Sequence, residues 1–264
     1  MLDIANTPAQ AADYGQDLAG KTALVTGSAR NMGRAFLLDF AARGADVVVH
    51  HRSDASRDDA EETARLARER GARVLIVSGD LSDEATVARI FDETLEAFGR
   101  IDIVVNNAGV VIKKPFAEQT EADYDRAFAA NAKAPFLVMA QAARRIADGG
   151  RVINMGTTLL GATTGAYGVY AGSKAPLEDF TRALAKEIGD RGVTVNVVAP
   201  GPIDTAFFHG EENEQSTEFL AHMSVANRLG RVADVVPLVA FLASADSQWV
   251  TAQTLFVNGG FLAR

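Results

Sequence analysis

Three side chains in the stretch AYGVYAGSKA, residues 166–175, have the types and spacing of a proton-transfer site. Tyr167 and Tyr170 are three residues apart, and Lys174 follows them by seven and four. On a helix these offsets bring all three side chains to one face. A phenol beside an ammonium group is a general acid whose anion the ammonium stabilises. Free tyrosine has a pKa of about 10, so work near neutral pH asks for a shift of about three units, or roughly 4 kcal/mol. A positive charge about 4 Å away, at an effective dielectric of about 20, supplies about 4 kcal/mol. One lysine is therefore large enough. The same spacing also describes a helix face without chemistry, and it does not choose between the two tyrosines.

The elements that must position these residues are legible as alternating buried strands and helices. KTALVTG (21–27), ADVVVH (45–50), ARVLIVSGD (72–80), IDIVVNNAG (101–109), GRVINMG (150–156), VTVNVVAPG (193–201) and TLFVNGG (254–260) read as strands. Helices are expected over 34–43, 55–70, 84–98, 121–147 and from the Tyr–Lys segment to about 189. Short apolar runs alternating with longer helices predict an α/β fold, with a parallel sheet covered on both faces. Right-handed crossovers make it one Rossmann-like doubly wound domain of about seven strands. Residues 1–19 read as a polar arm and 20–264 as the domain. Residues 204–228 are one long irregular stretch, expected to be a lid.

Composition narrows the function. The 264 residues are 48% hydrophobic and 23% charged, which suits a folded domain. A net charge of −8 argues against nucleic acid or an anionic membrane as the main partner. The absence of cysteine excludes disulfides and thiolate metal sites. The N-terminus lacks a secretory pattern, and no apolar run approaches the roughly 20 residues of a membrane span, so a cytoplasmic location is expected. No spacing of His, Asp and Glu suggests a metal site. Glu211, Glu212 and Glu214 read as a solvated charge run, and His209 and His222 receive no role.

Ligands of open α/β sheets bind beyond the C-terminal strand ends. The first such end is TGSARNMG (26–33), where a glycine turn runs into a helix N-terminus, a geometry suited to a pyrophosphate. A site selective for NAD places an acid after the second strand. This chain has His50, His51, Arg52 and Ser53 there. Arg52, with Arg30 in the glycine turn, favours the 2′-phosphate of NADP(H), because a guanidinium donates two hydrogen bonds to one phosphate.

At this point the chain resembles the short-chain dehydrogenases/reductases, from about Leu18 to Phe261. The matching motifs in order are TGSARNMG, Asp80-Leu81, NNAG (106–109), Asn131, NMGT (154–157), YAGSK (170–174) and PGPIDT (200–205). The resemblance implies hydride transfer between NAD(P) and an alcohol or carbonyl, in a homo-oligomer. It also implies a catalytic hydroxyl thirteen positions before the catalytic tyrosine. That offset selects Thr157 with Tyr170; from Tyr167 it would land on Asn154. The implied centre is Tyr170, Lys174, Thr157 and Asn131. Pro135, four residues after Asn131, has no N–H, so the helix should kink and free the Asn131 carbonyl for a water relay.

The implied cofactor contacts are Gly27, Ser28, Arg30, Asn31, Met32, Gly33, His51, Arg52, Ser53, Asp80, Leu81, Asn107, Ala108, Gly109, Tyr170, Lys174, Pro200, Gly201, Ile203 and Thr205. Asn31 replaces a glycine, which asparagine's tolerance of left-handed backbone permits. Thr157 replaces the usual serine and narrows the pocket by a methyl group. Thr158, Leu159, Tyr167 and Phe207 should line a mostly apolar substrate pocket, suited to a hydrophobic ketone, aldehyde or secondary alcohol. A 3-oxoacyl-thioester (carrier protein) reductase stays open, with Arg144, Arg145, Lys113 and Lys114 near. A sugar or polyol dehydrogenase lacks polar anchors, and a non-catalytic NADP sensor would not need both Tyr170 and Lys174.

Overall fold

The computed structural model describes residues 15–162 and 164–263. Seven strands form one parallel sheet in the order β3-β2-β1-β4-β5-β6-β7. They are β1 Thr22–Val25, β2 Asp46–His51, β3 Val74–Ser78, β4 Ile103–Asn106, β5 Arg151–Met155, β6 Thr194–Pro200 and β7 Thr254–Val257. The strand order reverses between β1 and β4, which opens a crevice above those two strand ends. β1, β4, β5 and β6 are buried along their whole length, as their runs of valine and isoleucine require.

Each face of the sheet carries its own core. On one side Phe36, Phe40 and Val239 come from α1 (Asn31–Ala42) and from the helix Val232–Ala243. Ala60 and Ala64 of α2 (Arg57–Arg68) join them. On the other side α3 (Glu84–Phe98) brings Ile90 and Phe91 against Val104 and Val152. α3 matches its expected bounds because both ends are written locally. Asp83 caps its first turn through Thr86 N, and Gly99 ends it at φ +77°.

Three expectations need correction. The helix over 121–147 is not continuous. α4 (Glu121–Phe128) runs into a π-helical turn, Ala129–Lys133, before α5 (Ala134–Arg145). Pro135 has no N–H to close the α-helical ladder, and the wider turn absorbs the defect. The Tyr–Lys helix is likewise two pieces, α6 (Gly168–Lys174) and α7 (Pro176–Glu187), because Pro176 removes the N–H that the Gly172 carbonyl would use. Residues 204–228 hold two short helices, α8 (Ala206–His209) and α9 (Glu214–His222). The sequence reading names no helix before β7, yet α10 spans Val232–Ala243. Its run is apolar almost throughout and contains Pro237, so it shows neither helical periodicity nor a clean stop.

Of the proposed arm, residues 1–14 lie outside the described residues. Its end belongs to the domain: Leu18 is buried, and Asp17 takes two hydrogen bonds from Arg43, at 2.8 and 2.6 Å. Among the described residues no helix is long and apolar enough to cross a membrane.

Candidate active site

β5 delivers the first half of the site. Its chain passes Met155 and Gly156 and ends at Thr157, which is buried. α6 delivers the second half, with Tyr167 just before its first turn, then Tyr170, Ser173 and Lys174. Thr157 and the Tyr170 phenol line the same cleft, and Thr157 favours the ionised phenol. Lys174 is buried, and its Nζ donates to the Met155 carbonyl at 2.7 Å. The Tyr167 ring stands 6.1 Å from that of Tyr170, but its hydroxyl donates to Glu212. The two tyrosines thus have different neighbours.

Asn131 sits in the π turn and is fully buried. Its Oδ1 accepts from Val110 N at 2.9 Å, and its Nδ2 donates to Val110 O and Ser173 Oγ at 2.8 and 2.9 Å. Ser173 Oγ in turn donates to the Tyr170 carbonyl at 2.8 Å. One side chain therefore ties the loop after β4 to α6. Gly109 makes that closeness possible: a Cβ there would lie 2.8 Å from Asn131 Oδ1 and 3.4 Å from Lys174 Nζ.

Electrostatics correct one expectation. Burial raises the Tyr170 pKa, and Thr157 opposes it only in part. The sequence-level estimate put a lysine charge first. In the folded chain desolvation wins, and Lys174 spends its nearest contact on a carbonyl. Burial also lowers Lys174, to about 8. Tyr170 is thus a loaded proton donor at neutral pH, beside a lysine that is still mostly charged.

The glycine turn between β1 and α1 forms the other end. Gly27 has φ +63° and Asn31 φ +53°, so asparagine does occupy a left-handed position. A Cβ on Gly33 would sit 2.5 Å from both Asn107 Nδ2 and Gly27 O, so only glycine lets α1 approach this closely. Asn107 and Ala108 N–H groups reach Thr26 Oγ1 at 2.9 and 3.0 Å. No side chain caps the start of α1. Its uncapped N–H groups, in a turn of left-handed residues, fit a pyrophosphate.

Sequence reasoning passed over His50. Its Nδ1 accepts from Gly27 N at 3.0 Å, so Nε2 carries the proton and donates to Gly79 O at 3.0 Å. Ser28 Oγ accepts from His50 N at 3.0 Å. Burial lowers His50 to about 4, so the ring is neutral. It joins the glycine turn to the end of β3.

Arg52 projects from the end of β2, 65% exposed, and donates to Asp80 Oδ2 at 2.7 Å. Arg30 is 67% exposed, 3.8 Å from Asp59. Asp80 Oδ1 accepts from Ser82 N and Oγ. His51 is buried with Nδ1 at the Ser53 carbonyl, and Leu81 is buried in the core beneath. His51 and Leu81 thus support this corner from within.

The two ends meet in an open cleft. Thr157, Thr158, Leu159, Tyr167, Tyr170 and Phe207 line it together with Met32, Pro200, Gly201, Ile203 and Thr205. Phe208, Glu211, Leu220 and Phe261 also line it; no short-range pattern marks Phe261, which arrives from beyond β7. Glu212 corrects the reading of 211–214 as a solvated run. Its side chain is 1% exposed, with Lys113 Nζ at 2.5 Å and Tyr167 as a second donor. Burial pushes Glu212 up, but its hydrogen bonds, that of Lys113 foremost, hold it below the ordinary carboxylate value. Burial and Glu212 push Tyr167 well above the ordinary phenol range.

Residues 27–262 match the protein family described as Enoyl-(Acyl carrier protein) reductase. A short-chain type dehydrogenase/reductase of Picea abies is 40% identical over 253 residues, covering 92% of this chain and 93% of that protein. A hydroxynaphthalene reductase-like protein Arp2 of Metarhizium brunneum (strain ARSEF 3297) is 37% identical over 258 residues, covering 93% and 96%. The crystal structure of a putative dehydrogenase from Burkholderia cenocepacia with bound NADP superposes with a TM-score of 0.91 at 41% identity, covering 95% of this chain and 96% of that one.

Proposed function

The chain belongs to the short-chain dehydrogenase/reductase family, and from that premise we propose that it is an NADPH-dependent reductase of hydrophobic ketones or aldehydes. One observation carries the reading: Tyr170 and Thr157 together line a mostly apolar cleft that continues to Pro200, Ile203 and Thr205. The similar hydroxynaphthalene reductase-like protein favours an aromatic or polycyclic substrate.

Bound NADPH supplies the hydride; the chain supplies position and the proton. The α1 N-terminus, Gly27, Ser28, Asn31 and Gly33 would hold the pyrophosphate. Arg52 and Arg30, both exposed enough to turn, would meet the 2′-phosphate. Asp80 would flank the adenine with Leu81 packed beneath it, and Asn107 to Gly109 with Pro200 to Thr205 the nicotinamide end. Thr157 would orient the substrate oxygen, and Tyr170 would give it a proton. The Lys174 ammonium would then stabilise the tyrosinate. The carbonyl of Asn131, without an α-helical partner because of Pro135, would hold a water through which the proton is replaced.

Carrier-protein docking is less favoured. Lys113 is taken by Glu212 and Lys114 by Asp123 at 2.8 Å, so neither offers an open charge to an acidic carrier. Assembly with a second copy belongs to the same proposal; Phe136, 48% exposed and 5.5 Å from Phe180, is a candidate contact. Sedimentation measures it.

The test is NADPH and NADH consumption against an aryl ketone, a 1,2-diketone, a 3-oxoacyl thioester and a keto sugar. Turnover of the aromatic compounds with NADPH is expected. Tyr170→Phe should cost about 10²- to 10⁴-fold in turnover, the range for a lost general acid. Full turnover by that variant would refute the assignment. Arg52→Asp should weaken NADPH and improve NADH.

A further inference from the structure

The lid closes on the cleft through a charged knot drawn from three distant segments. Lys113 follows β4, Tyr167 precedes α6, and Glu212 stands between α8 and α9. Glu212 takes the Lys113 ammonium on Oε2 and the Tyr167 hydroxyl on Oε1. Lys113 also lies 5.6 Å from the centre of the Tyr167 ring. Glu211 lines the cleft itself, and its Oε2 accepts from Lys113 N at 3.3 Å. Among the described residues lining the cleft, Glu211 alone carries a formal charge. This wall therefore holds two carboxylates and one ammonium, a net negative charge in a largely apolar setting. The cation of this wall, Lys113, is spent on a buried partner, and the Lys174 ammonium is held at the Met155 carbonyl.

Resting on the carbonyl-reductase reading, we propose that Glu212, Glu211 and Lys113 set the substrate class by charge. The cleft admits uncharged carbonyl compounds and rejects those with a carboxylate near the reacting carbon. Glu212 acts through others: it holds Tyr167 against the cleft and neutralises Lys113. Uncompensated charges several ångströms away in such a site change anion binding on the order of tenfold to fiftyfold.

The test measures binding of naphthol and naphthoate to the NADPH-loaded enzyme by quenching of cofactor fluorescence, so it does not depend on turnover. The wild type should prefer naphthol by at least tenfold. E212Q leaves Lys113 unpaired and should shrink that preference about tenfold. K113M leaves Glu212 unpaired and should widen it. The double variant should return close to the wild-type ratio. E211Q, should E212Q fail to fold, must also shrink the preference. Equal binding of both ligands by the wild type overturns the proposal, as do ratios that stay fixed or move the same way in E212Q and K113M. Loss of ketone turnover together with retained charge selection would sink the reductase reading and leave this one standing.

Discussion

At the scale of single residues, desolvation decides the direction for Tyr170, Lys174 and His50. Lys174 is lowered to about 8 by burial, so its charge disappears as pH rises through that value. Because the proposed tyrosinate needs the ammonium, kcat/KM for ketone reduction should fall above about pH 8, and a pH–rate profile on the free enzyme reads it. His50 makes a second case. Its folded pKa, about 4, lies below the ordinary 6.5, so the folded state holds fewer protons. Its stability contribution is complete above about pH 6.5 and is lost as pH falls toward about 4, up to about 3 kcal/mol. Urea midpoints at pH 7 and 4.5 should show that loss in the wild type and a smaller one in His50→Gln.

At the scale of elements, two prolines decide where helices break, and the breaks are where the site is built. Pro135 makes the π turn that presents Asn131, and Pro176 ends the helix that presents Lys174. The break at Pro135 was legible in outline, since a proline's missing N–H is a local fact, whereas the one at Pro176 was not expected. What Asn131 does at the first break was not legible, because its partners Val110 and Ser173 lie 21 and 42 residues away. Asn131→Ala would strand the half-buried Val110 N–H and carbonyl and leave the buried Ser173 hydroxyl one partner short. It should cost about 3 kcal/mol of stability by chemical denaturation, with turnover falling in parallel, since each buried unpaired group costs about 1–3 kcal/mol.

At the scale of the whole molecule, one cleft joins the start of α1 and the chain just beyond β4, β5 and β6 to the segment 205–220 and to Phe261. A ligand that spans these parts binds only the folded state. NADPH at about 100 times its dissociation constant should add about 2.7 kcal/mol of stability, which in a chain of this size raises Tm by about 5–10 °C. NADH at the same concentration should raise it less if Arg52 and Arg30 meet the 2′-phosphate. Equal shifts would remove that role from both arginines, and a thermal scan with each nucleotide decides it.

The sequence by itself determined the sheet and most of its helices. Apolar runs of valine and isoleucine, and helix caps such as Asp83 and Gly99, all act within a short span of chain. Tertiary structure alone decided the rest. Glu212 looks solvated among its acidic neighbours until Lys113 and Tyr167, 99 and 45 residues away, take its two oxygens. His50 looks like a strand residue until Gly27 and Gly79 meet its ring. α10 has no pattern of its own because its neighbours across the core supply its reason to be helical. The sign of the Tyr170 shift also belongs to the fold, since how much water a side chain loses depends on everything packed around it.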